Sequence, residues 1–340
     1  MADASLSVVI VAHDSLGDLR HTLPALAAQL QPGDELIIVD NASADGLEAG
    51  LEQIAPKARL VSMGANAGFA AGANAGGRAA RGDLLVLLNP DALVDPGWAD
   101  AIRAPFGSGW AAWMGLVLLD GGRLINTSGS RLHFTGVAWA GQMGMSRAAA
   151  PVSPTDVAAL SGACLAVPLE TWRRLEGFPE QFFMYCEDVD LSLRLRLGGG
   201  RLAVIPAASV RHRYEFDKGA YKWRLLERNR WATVIRTFPA PLLAAVAPAL
   251  IAMEAAMWLT AARGGWARMK LLATADVCRA LPRLLRERRQ IQGRSVIDSR
   301  RFAQPMTAAF DSPYLGSPAV RRLAGAVFEF YWRAALSLLP

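Results

Sequence analysis

Three polar clusters in this sequence combine residue types that could carry chemistry: Asp40-Asn41, Asn89-Pro90-Asp91 and Glu187-Asp188-Val189-Asp190. Carboxylates at strand ends can chelate a divalent cation, and such a cation neutralises the charge on a departing diphosphate better than side chains do alone. A second carboxylate can then remove a proton from an attacking hydroxyl. These residue types therefore favour a metal-assisted transfer reaction that expels a diphosphate.

The elements that would position these clusters alternate between strand and helix, which is typical of an α/β fold with a mostly parallel sheet. Apolar runs predict strands at 7–12, 35–39, 59–62 and 83–88 and helices at 14–31 and 72–80. Later in the chain we expect strands at 111–119 and 162–167, helices at 169–176 and 187–196, and a loop at 139–156. The first two clusters directly follow predicted strands, which is where ligands bind in open α/β sheets.

Motifs and composition exclude several functional classes. The sequence contains no Gly-x-x-x-x-Gly-Lys-Ser/Thr loop, and no Gly-x-Gly-x-x-Gly follows the first strand, which disfavours a dinucleotide site. The three cysteines lie too far apart for a zinc site or a disulfide framework, so we expect a reducing cytoplasmic setting. With 52% hydrophobic and 19% charged residues among 340, the chain is not of the disordered class.

Charge is unevenly distributed along the chain. Residues 1–210 carry 14 Lys and Arg against 21 Asp and Glu, whereas residues 211–340 carry 22 against 9. A basic last third implies an anionic partner, either nucleic acid or acidic lipid headgroups. We expect no nucleic acid, because most of the basic stretch lacks interleaved aromatic residues.

The stretch 239–262 is apolar except for Glu254 and Thr260, and the basic stretch 263–301 follows it. Its length permits a transmembrane helix, but Glu254 and three prolines argue against a clean span. An apolar helix beside a basic one is what an interfacial membrane helix requires. The alternative is a buried helix pair with a solvated basic face.

Six stretches carry a family resemblance, and together they cover residues 7–230 in order. They are SVVIVAHDS (7–15), LIIVDNASADG (36–46), NAGFAAGANAG (66–76), LLVLLNPDALV (84–94), SGACLAVPLETWRRLEGFPEQFFMYCEDVDLSLRLRLGG (161–199) and RNR (228–230). In that order they resemble the family 2 glycosyltransferases of the GT-A fold, in the rhamnosyltransferase-like branch. The resemblance implies a Rossmann-like, mostly parallel sheet flanked by helices as a catalytic domain over 1–236, followed by a helical, membrane-associating region over 237–340.

The resemblance also assigns roles to individual residues. Asp188 would be the general base, with Glu187 beside it, and Arg228 and Asn229 would lie near the acceptor or the diphosphate. The nucleotide-sugar would contact His13, Asp40, Asn41, Asn66, Gly68, Gly72, Asn89 and Asp91. A divalent metal, Mg²⁺ or Mn²⁺, would be held by Asp91, Asn89 and His212. Asn89 replaces the first carboxylate of the family's Asp-x-Asp motif with a neutral amide, which implies modest metal affinity.

Structural alternatives stand beside these roles. Asp40 and Asn41 also fit a helix cap and a turn, and the glycine-rich run 64–77 fits a closely packed helix. Glu187 and Asp188 also fit helix-start carboxylates favoured by the helix dipole. His212 also fits a surface position.

The resemblance implies an inverting transferase that moves a single sugar, with rhamnose suggested by the branch, from a nucleotide-diphosphate donor to a polyprenyl-linked or growing cell-surface glycan. Such an enzyme would build cell-wall or O-antigen polysaccharide at the cytoplasmic face of the inner membrane, as a peripheral or monotopic protein. One alternative is a nucleotide-sugar-binding protein of the same fold without turnover. Another is a transferase that uses a different donor, such as a UDP-hexose or galactofuranose.

Overall fold

The computed structural model describes residues 4–212, 219–309 and 318–340. By their contacts these residues form two compact units, the first comprising 4–130, 140–191 and 200–212 and the second comprising 131–139, 192–199, 219–309 and 318–340. The last stretch of the predicted catalytic domain, up to residue 236, therefore belongs to the second unit by its contacts.

Ten strands form one sheet within the described part of the first unit, in the order β10-β12-β6-β11-β4-β1-β2-β3, with β5 beside β12 and β7 beside β6. Their bounds are β1 Leu6–Ala12, β2 Glu35–Asp40, β3 Arg59–Ser62, β4 Leu84–Leu88, β5 Ala92–Val94, β6 Trp110–Leu119, β7 Leu124–Thr127, β10 Thr155–Asp156, β11 Cys164–Pro168 and β12 Arg201–His212. The short strands β8 (Ser130–Leu132) and β9 (Ala138–Ala140) pair separately.

Strand direction confirms the predicted α/β class. Six strands run the same way, namely β1, β2, β3, β4, β6 and β12. The apolar runs of β1 and β4 are buried along their whole length, which is the pattern of strands covered on both faces. Strand β11 lies between β4 and β6 and runs antiparallel to both. The carboxyl ends of the six co-directional strands therefore share one edge of the sheet with the start of β11.

The helices of the first unit flank this sheet. They are α1 Leu16–Ala27, α2 Leu47–Ile54, α3 Gly68–Ala79, α4 Trp98–Arg103, α5 Leu169–Arg174 and α6 Glu187–Leu197, the last of which continues into the second unit. Helix α3 packs tightly on β1 because of its glycines: a Cβ at Gly72 would lie 2.6 Å from Val11 Cγ1. The close-packed-helix interpretation of the glycine-rich run is therefore correct for Gly72, which faces the sheet.

Several predicted bounds differ from the structure. Helix α1 is shorter than the predicted 14–31, and α3 begins four residues before the predicted 72. The expected loop at 139–156 contains short regular elements at 138–140, 147–149 and 155–156. Apolar periodicity locates the centre of an element but not the turns at its ends, which is the physical reason for these shifts.

The second unit is helical. Its helices are α7 Tyr221–Thr237, α8 Ala240–Arg263, α9 Ala267–Gln292, α10 Ser299–Ala303 and α11 Pro318–Ser337. Helix α8 contains Pro248 without interruption. Among the described residues it is the one helix long and apolar enough to cross a membrane, and 28% of its most apolar window is buried.

Candidate active site

Asn41 joins the ends of the first three parallel strands. Its side chain is 3% exposed, and its Nδ2 donates to Asn66 Oδ1 at 3.0 Å while its Oδ1 accepts from the backbone N–H of Ala67 at 2.9 Å. Its backbone carbonyl lies 3.0 Å from His13 Nδ1. Asn41 thus holds His13 and the 66–68 segment together. The alternative that Asn41 is a turn residue is correct in part, because its side chain accepts a hydrogen bond from the backbone of Ala67.

Asp40 ends β2 at the rim of an open cavity of about 590 Å³, which is lined by residues between 40 and 52. Its Oδ1 accepts from Ser43 N at 2.8 Å, as in an Asx turn. Two carboxylates that sequence reasoning did not select fix the same loop: Asp14 Oδ1 accepts from Ala44 N at 2.6 Å, and Asp45 Oδ2 accepts from Leu16 N at 2.7 Å. These hydrogen bonds hold the loop after β2 in place without a ligand.

Asn89, Asp91 and His212 converge on one point at the end of β4. The pairing of β12 with β5 places His212 opposite Ala92. His212 Nε2 lies 3.1 Å from Asp91 Oδ1 and 3.1 Å from Asn89 Nδ2. His212 is 9% exposed, so its interpretation as a surface residue is wrong. The structure thus brings together the three residues expected to hold a metal.

This donor set fits a hard divalent cation. It offers a carboxylate oxygen and an imidazole nitrogen, and the Asn89 amide carries an oxygen that can turn to the same point. Among the described residues no three His, Cys, Asp or Glu side chains are arranged around a common metal position. Of the described residues, Asp91 would supply the one carboxylate beside His212 and Asn89, and oxygens of water or of a bound phosphate could fill further positions of the shell.

Three carboxylates begin α6: Glu187 and Asp190 are buried, and Asp188 is half-buried. Asp188 Oδ2 accepts from Gly162 N at 2.9 Å, and its Oδ1 accepts from Val189 N at 2.8 Å. Burial raises the pKa of Asp188, although these N–H bonds oppose the shift. A carboxylate that is buried and still hydrogen-bonded in its charged form is a stronger base than an exposed one.

Glu187 differs from Asp188 in its hydrogen bonding. It is 6% exposed, and its Oε2 has no hydrogen-bond partner among the described residues. Burial raises the pKa of Glu187 well above its ordinary value, and the charges of Asp188 and Asp190 raise it further. Glu187 therefore keeps its proton to higher pH than an ordinary glutamate does.

The segment before this cluster has an unusual backbone. Phe183, Tyr185 and Cys186 have φ values of 65°, 72° and 65°, a region that non-glycine residues rarely occupy. The Phe183 carbonyl accepts from Ala70 N at 3.0 Å. Gly68, at φ +85°, leaves room for this contact, because a Cβ there would lie 2.5 Å from the Phe183 oxygen. The space beside Gly68 is thus filled by the backbone of Phe183. Nothing in the sequence of 182–185 indicated this contact.

Arg228 and Asn229 lie on α7 in the second unit. Arg228 Nε donates to Asn229 Oδ1 at 2.9 Å, and Asn229 is fully buried. Their predicted place near an acceptor or a diphosphate stays a prediction.

Comparisons with known proteins agree with this architecture. A family model described as glycosyl transferase family 2 matches residues 7–134, and one described as glycosyl transferase family group 2 matches residues 85–285. An N-acetylglucosaminyl-diphospho-decaprenol L-rhamnosyltransferase of Mycobacterium tuberculosis is 28% identical over 242 residues, covering 63% of this chain and 78% of the relative. The rhamnosyltransferase WbbL of Escherichia coli is 37% identical over 84 residues, covering 23% of this chain and 32% of the relative.

Solved structures support the fold. A crystal structure of GalNAc-T7 with UDP, GalNAc and Mn²⁺ superposes with a TM-score of 0.59 at 16% identity, over 72% of this chain and 50% of that one. S. aureus TarS 1–349 in complex with UDP-GlcNAc gives a TM-score of 0.53 at 12% identity, over 98% of this chain and 89% of that one.

The state of Glu187 leads to a prediction about stability and pH. Because its pKa is raised in the folded chain, the unfolded chain releases this proton first, from about pH 4.3 upward. Its contribution to the free energy of unfolding therefore falls as the pH rises through that value. We expect Glu187→Gln to be more stable than the unmodified protein at neutral and alkaline pH, measured by urea unfolding across a pH series. The exposed Glu52→Gln is the control and should follow the unmodified protein. If the free energy of unfolding changed with pH in the same way in Glu187→Gln and in the unmodified protein, the raised pKa of Glu187 would be contradicted.

Proposed function

The chain belongs to glycosyl transferase family 2, and from that premise we propose that it transfers one rhamnosyl-type sugar from a nucleoside diphosphate to a polyprenyl-linked glycan. That it is a glycosyltransferase of the GT-A fold follows from the family match and the structural neighbours. The proposal that the transferred sugar is of the rhamnosyl type is supported by two rhamnosyltransferase relatives.

One observation carries the mechanism: a short backbone link joins the proposed base to the proposed metal ligands. Gly162 N donates to Asp188 Oδ2 at 2.9 Å, and the next residue, Ala163, accepts from Asn89 N at 3.1 Å. Asp188 and Asn89 are thus fixed through two consecutive residues at the start of β11. This is the arrangement needed when a base and a charge-neutralising site act on the same sugar.

Asp188 would accept the proton of the acceptor hydroxyl as that oxygen attacks the anomeric carbon. The backbone N–H groups of Gly162 and Val189 donate to its two carboxylate oxygens, and these contacts orient the carboxylate for the incoming proton. The attack comes from the face opposite the nucleotide, which gives inversion without a covalent intermediate. Catalysis then consists of positioning and electrostatic stabilisation.

Asp91, with Asn89 and His212, would hold a divalent cation, whose chemistry when bound is to neutralise charge on the leaving diphosphate. The nucleotide would lie against the ends of β1 and β2, where Asp40 borders the open cavity, Asn41 contacts His13, and Asn41 also holds the segment around Asn66 in place.

Helix α8 of the second unit supports a lipid-linked acceptor, because one of its faces is apolar and exposed. Glu254 of α8 contacts Arg230 Nη2 at 3.0 Å and Lys270 Nζ at 2.7 Å, so this face of the helix docks on α7 and α9. The outer face exposes Ile251 at 73% and Leu259 at 52%. A helix with one face paired to charged residues and an apolar face outward fits an interfacial position better than a span. This exposed apolar face supports the membrane docking in our proposal, which assigns the protein to the cytoplasmic face of the inner membrane.

The general-base assignment predicts that Asp188→Asn loses about 10²–10⁴-fold in turnover, since an amide cannot accept the proton. The measurement is nucleotide release over a panel of sugar nucleotides with a polyprenyl-linked acceptor. Glu187→Gln is the matched control in the same cluster: it makes the same carboxylate-to-amide change one residue away and should retain much more turnover. Near-normal turnover in Asp188→Asn would remove Asp188 from this role.

The metal assignment predicts a requirement for Mg²⁺ or Mn²⁺. Asp91→Ala should weaken Mn²⁺ binding more than Asn89→Ala, because a charged oxygen holds a hard cation better than a neutral amide. Mn²⁺ binding is followed by electron paramagnetic resonance and turnover by nucleotide release. The half-exposed Asp156→Ala, whose carboxylate pairs with Arg201, serves as the control and should change neither. Full activity in excess chelator would contradict metal dependence.

Interfacial docking predicts that Ile251→Gln with Leu259→Gln weakens binding to vesicles of phosphatidylcholine and phosphatidylglycerol by at least about tenfold. Exposed Val152→Gln in the first unit is the control and should bind normally. High salt should release only part of the unmodified protein, because apolar burial is not screened. Complete release by salt, or complete resistance to alkaline wash, would contradict this mode of docking.

A further inference from the structure

Asp91 lies inside the tight turn that joins β4 to β5. Ala92 N donates to the Asn89 carbonyl at 3.1 Å, so residues 89–92 form a β-turn with Pro90 and Asp91 at its two central positions. Proline is favoured at the first of these positions because its ring fixes φ there. The direction of the Asp91 carboxylate therefore depends on the peptide group that joins Pro90 to Asp91.

This central peptide group is the part of a β-turn that can reorient. Type I and type II turns differ in the direction of the carbonyl of the first central residue, here Pro90. Proline fits that position in both types, so Pro90 itself does not select between them. A type II turn requires a positive φ at the second central residue, which Asp91 does not have. Aspartate tolerates a positive φ better than most residues, so its residue type opposes reorientation only weakly.

Thr22 of α1 contacts the carbonyl of this peptide group. Its Oγ1 donates to the Pro90 carbonyl at 2.8 Å, from a position 68 residues earlier in the chain. The Asp18 carbonyl, one turn earlier in α1, is a second acceptor at 3.1 Å, and the shorter contact is the one to Pro90. The Thr22 side chain is buried, so losing this hydrogen bond would leave its position without easy access to water.

A second contact holds the other end of β5. Gln29, which follows α1, donates from Nε2 to the Asp95 carbonyl at 3.1 Å. Thr22 and Gln29 thus hold the carbonyl groups that precede and follow β5. Because β5 pairs with β12 at His212, keeping β5 in place also keeps Asp91 beside that histidine.

We propose that Thr22 is a positioning residue for the metal site: its hydroxyl holds the Pro90 carbonyl and thereby sets the direction of the Asp91 carboxylate relative to His212. The inference rests on the proposed function, since that function assigns Asp91 and His212 to a divalent cation. It adds a residue that acts through the turn and lies on a helix that contains none of the predicted site residues.

The test compares Mn²⁺ binding by the full chain and its variants, followed by electron paramagnetic resonance. Thr22→Val removes the hydroxyl but keeps the shape of the side chain. Its Mn²⁺ affinity should fall about 3- to 10-fold, which is the range expected for one lost hydrogen bond. Thr22→Ser keeps the hydroxyl and should bind Mn²⁺ as the unmodified protein does.

Thr237→Val is the matched control. Thr237 is also fully buried in a helix, and its Oγ1 donates to the Thr233 carbonyl at 2.8 Å. The same change therefore removes a buried hydroxyl bond in the second unit, and this variant should bind Mn²⁺ normally. Thermal unfolding checks each fold. If Thr22→Val does not fold, Thr22→Ser and Thr22→Ala make the same comparison between two small side chains, of which only serine has the hydroxyl.

Unchanged Mn²⁺ affinity in Thr22→Val, beside a clear loss in Asp91→Ala, would overturn this inference alone. Equal weakening in Thr22→Val and Thr22→Ser would also overturn it, because the hydroxyl would then not be the cause. Equal weakening in Thr237→Val would overturn it in favour of a general effect on stability. An unmodified protein that binds no Mn²⁺ would overturn the metal assignment and this inference with it. The expected order of Mn²⁺ affinities in a chain that transfers no sugar would support this inference and overturn only the proposed transfer.

Discussion

The antiparallel direction of β11 is the constraint on which the candidate site depends. Because β11 runs against β4, with Cys164 opposite Leu88, its beginning and not its end lies where the parallel strands terminate. Gly162 and Ala163 therefore reach the edge where ligands bind in such sheets. From there their backbone holds Asp188 on one side and Asn89 on the other. A parallel strand in the same place would have carried these two residues to the opposite edge.

The sequence predicted the parallel half of the sheet well because each strand there is a short apolar run followed by polar residues. Glu35–Asp40 and Leu84–Leu88 are such runs, and the residues after them were singled out correctly as strand-end groups. His212 was placed with Asp91 by resemblance alone, since its position depends on the register between β12 and β5. No local pattern encodes a register between segments so far apart in the chain.

Other features had no sequence signal. The left-handed backbone at Phe183, Tyr185 and Cys186 uses residue types that do not favour it, so only tertiary contact explains it. The raised pKa of Glu187 depends on burial and on two neighbouring carboxylates, which the sequence shows only as an acidic cluster. Glu254 appeared to be an interruption in an apolar helix. It is part of a charged group with Arg230, Lys270 and Glu227, in which breaking one contact leaves a buried charge unpaired.

The contact between Gly68 and the Phe183 carbonyl has a consequence for protein engineering. Any side chain at position 68 meets a main-chain oxygen, and no rotamer change or smaller neighbour can move that atom aside. A library that randomises position 68 to alter sugar preference would therefore consist mostly of misfolded or inactive clones. Diversity is better placed at Ala44 and Glu48 of the cavity rim, whose side chains are exposed.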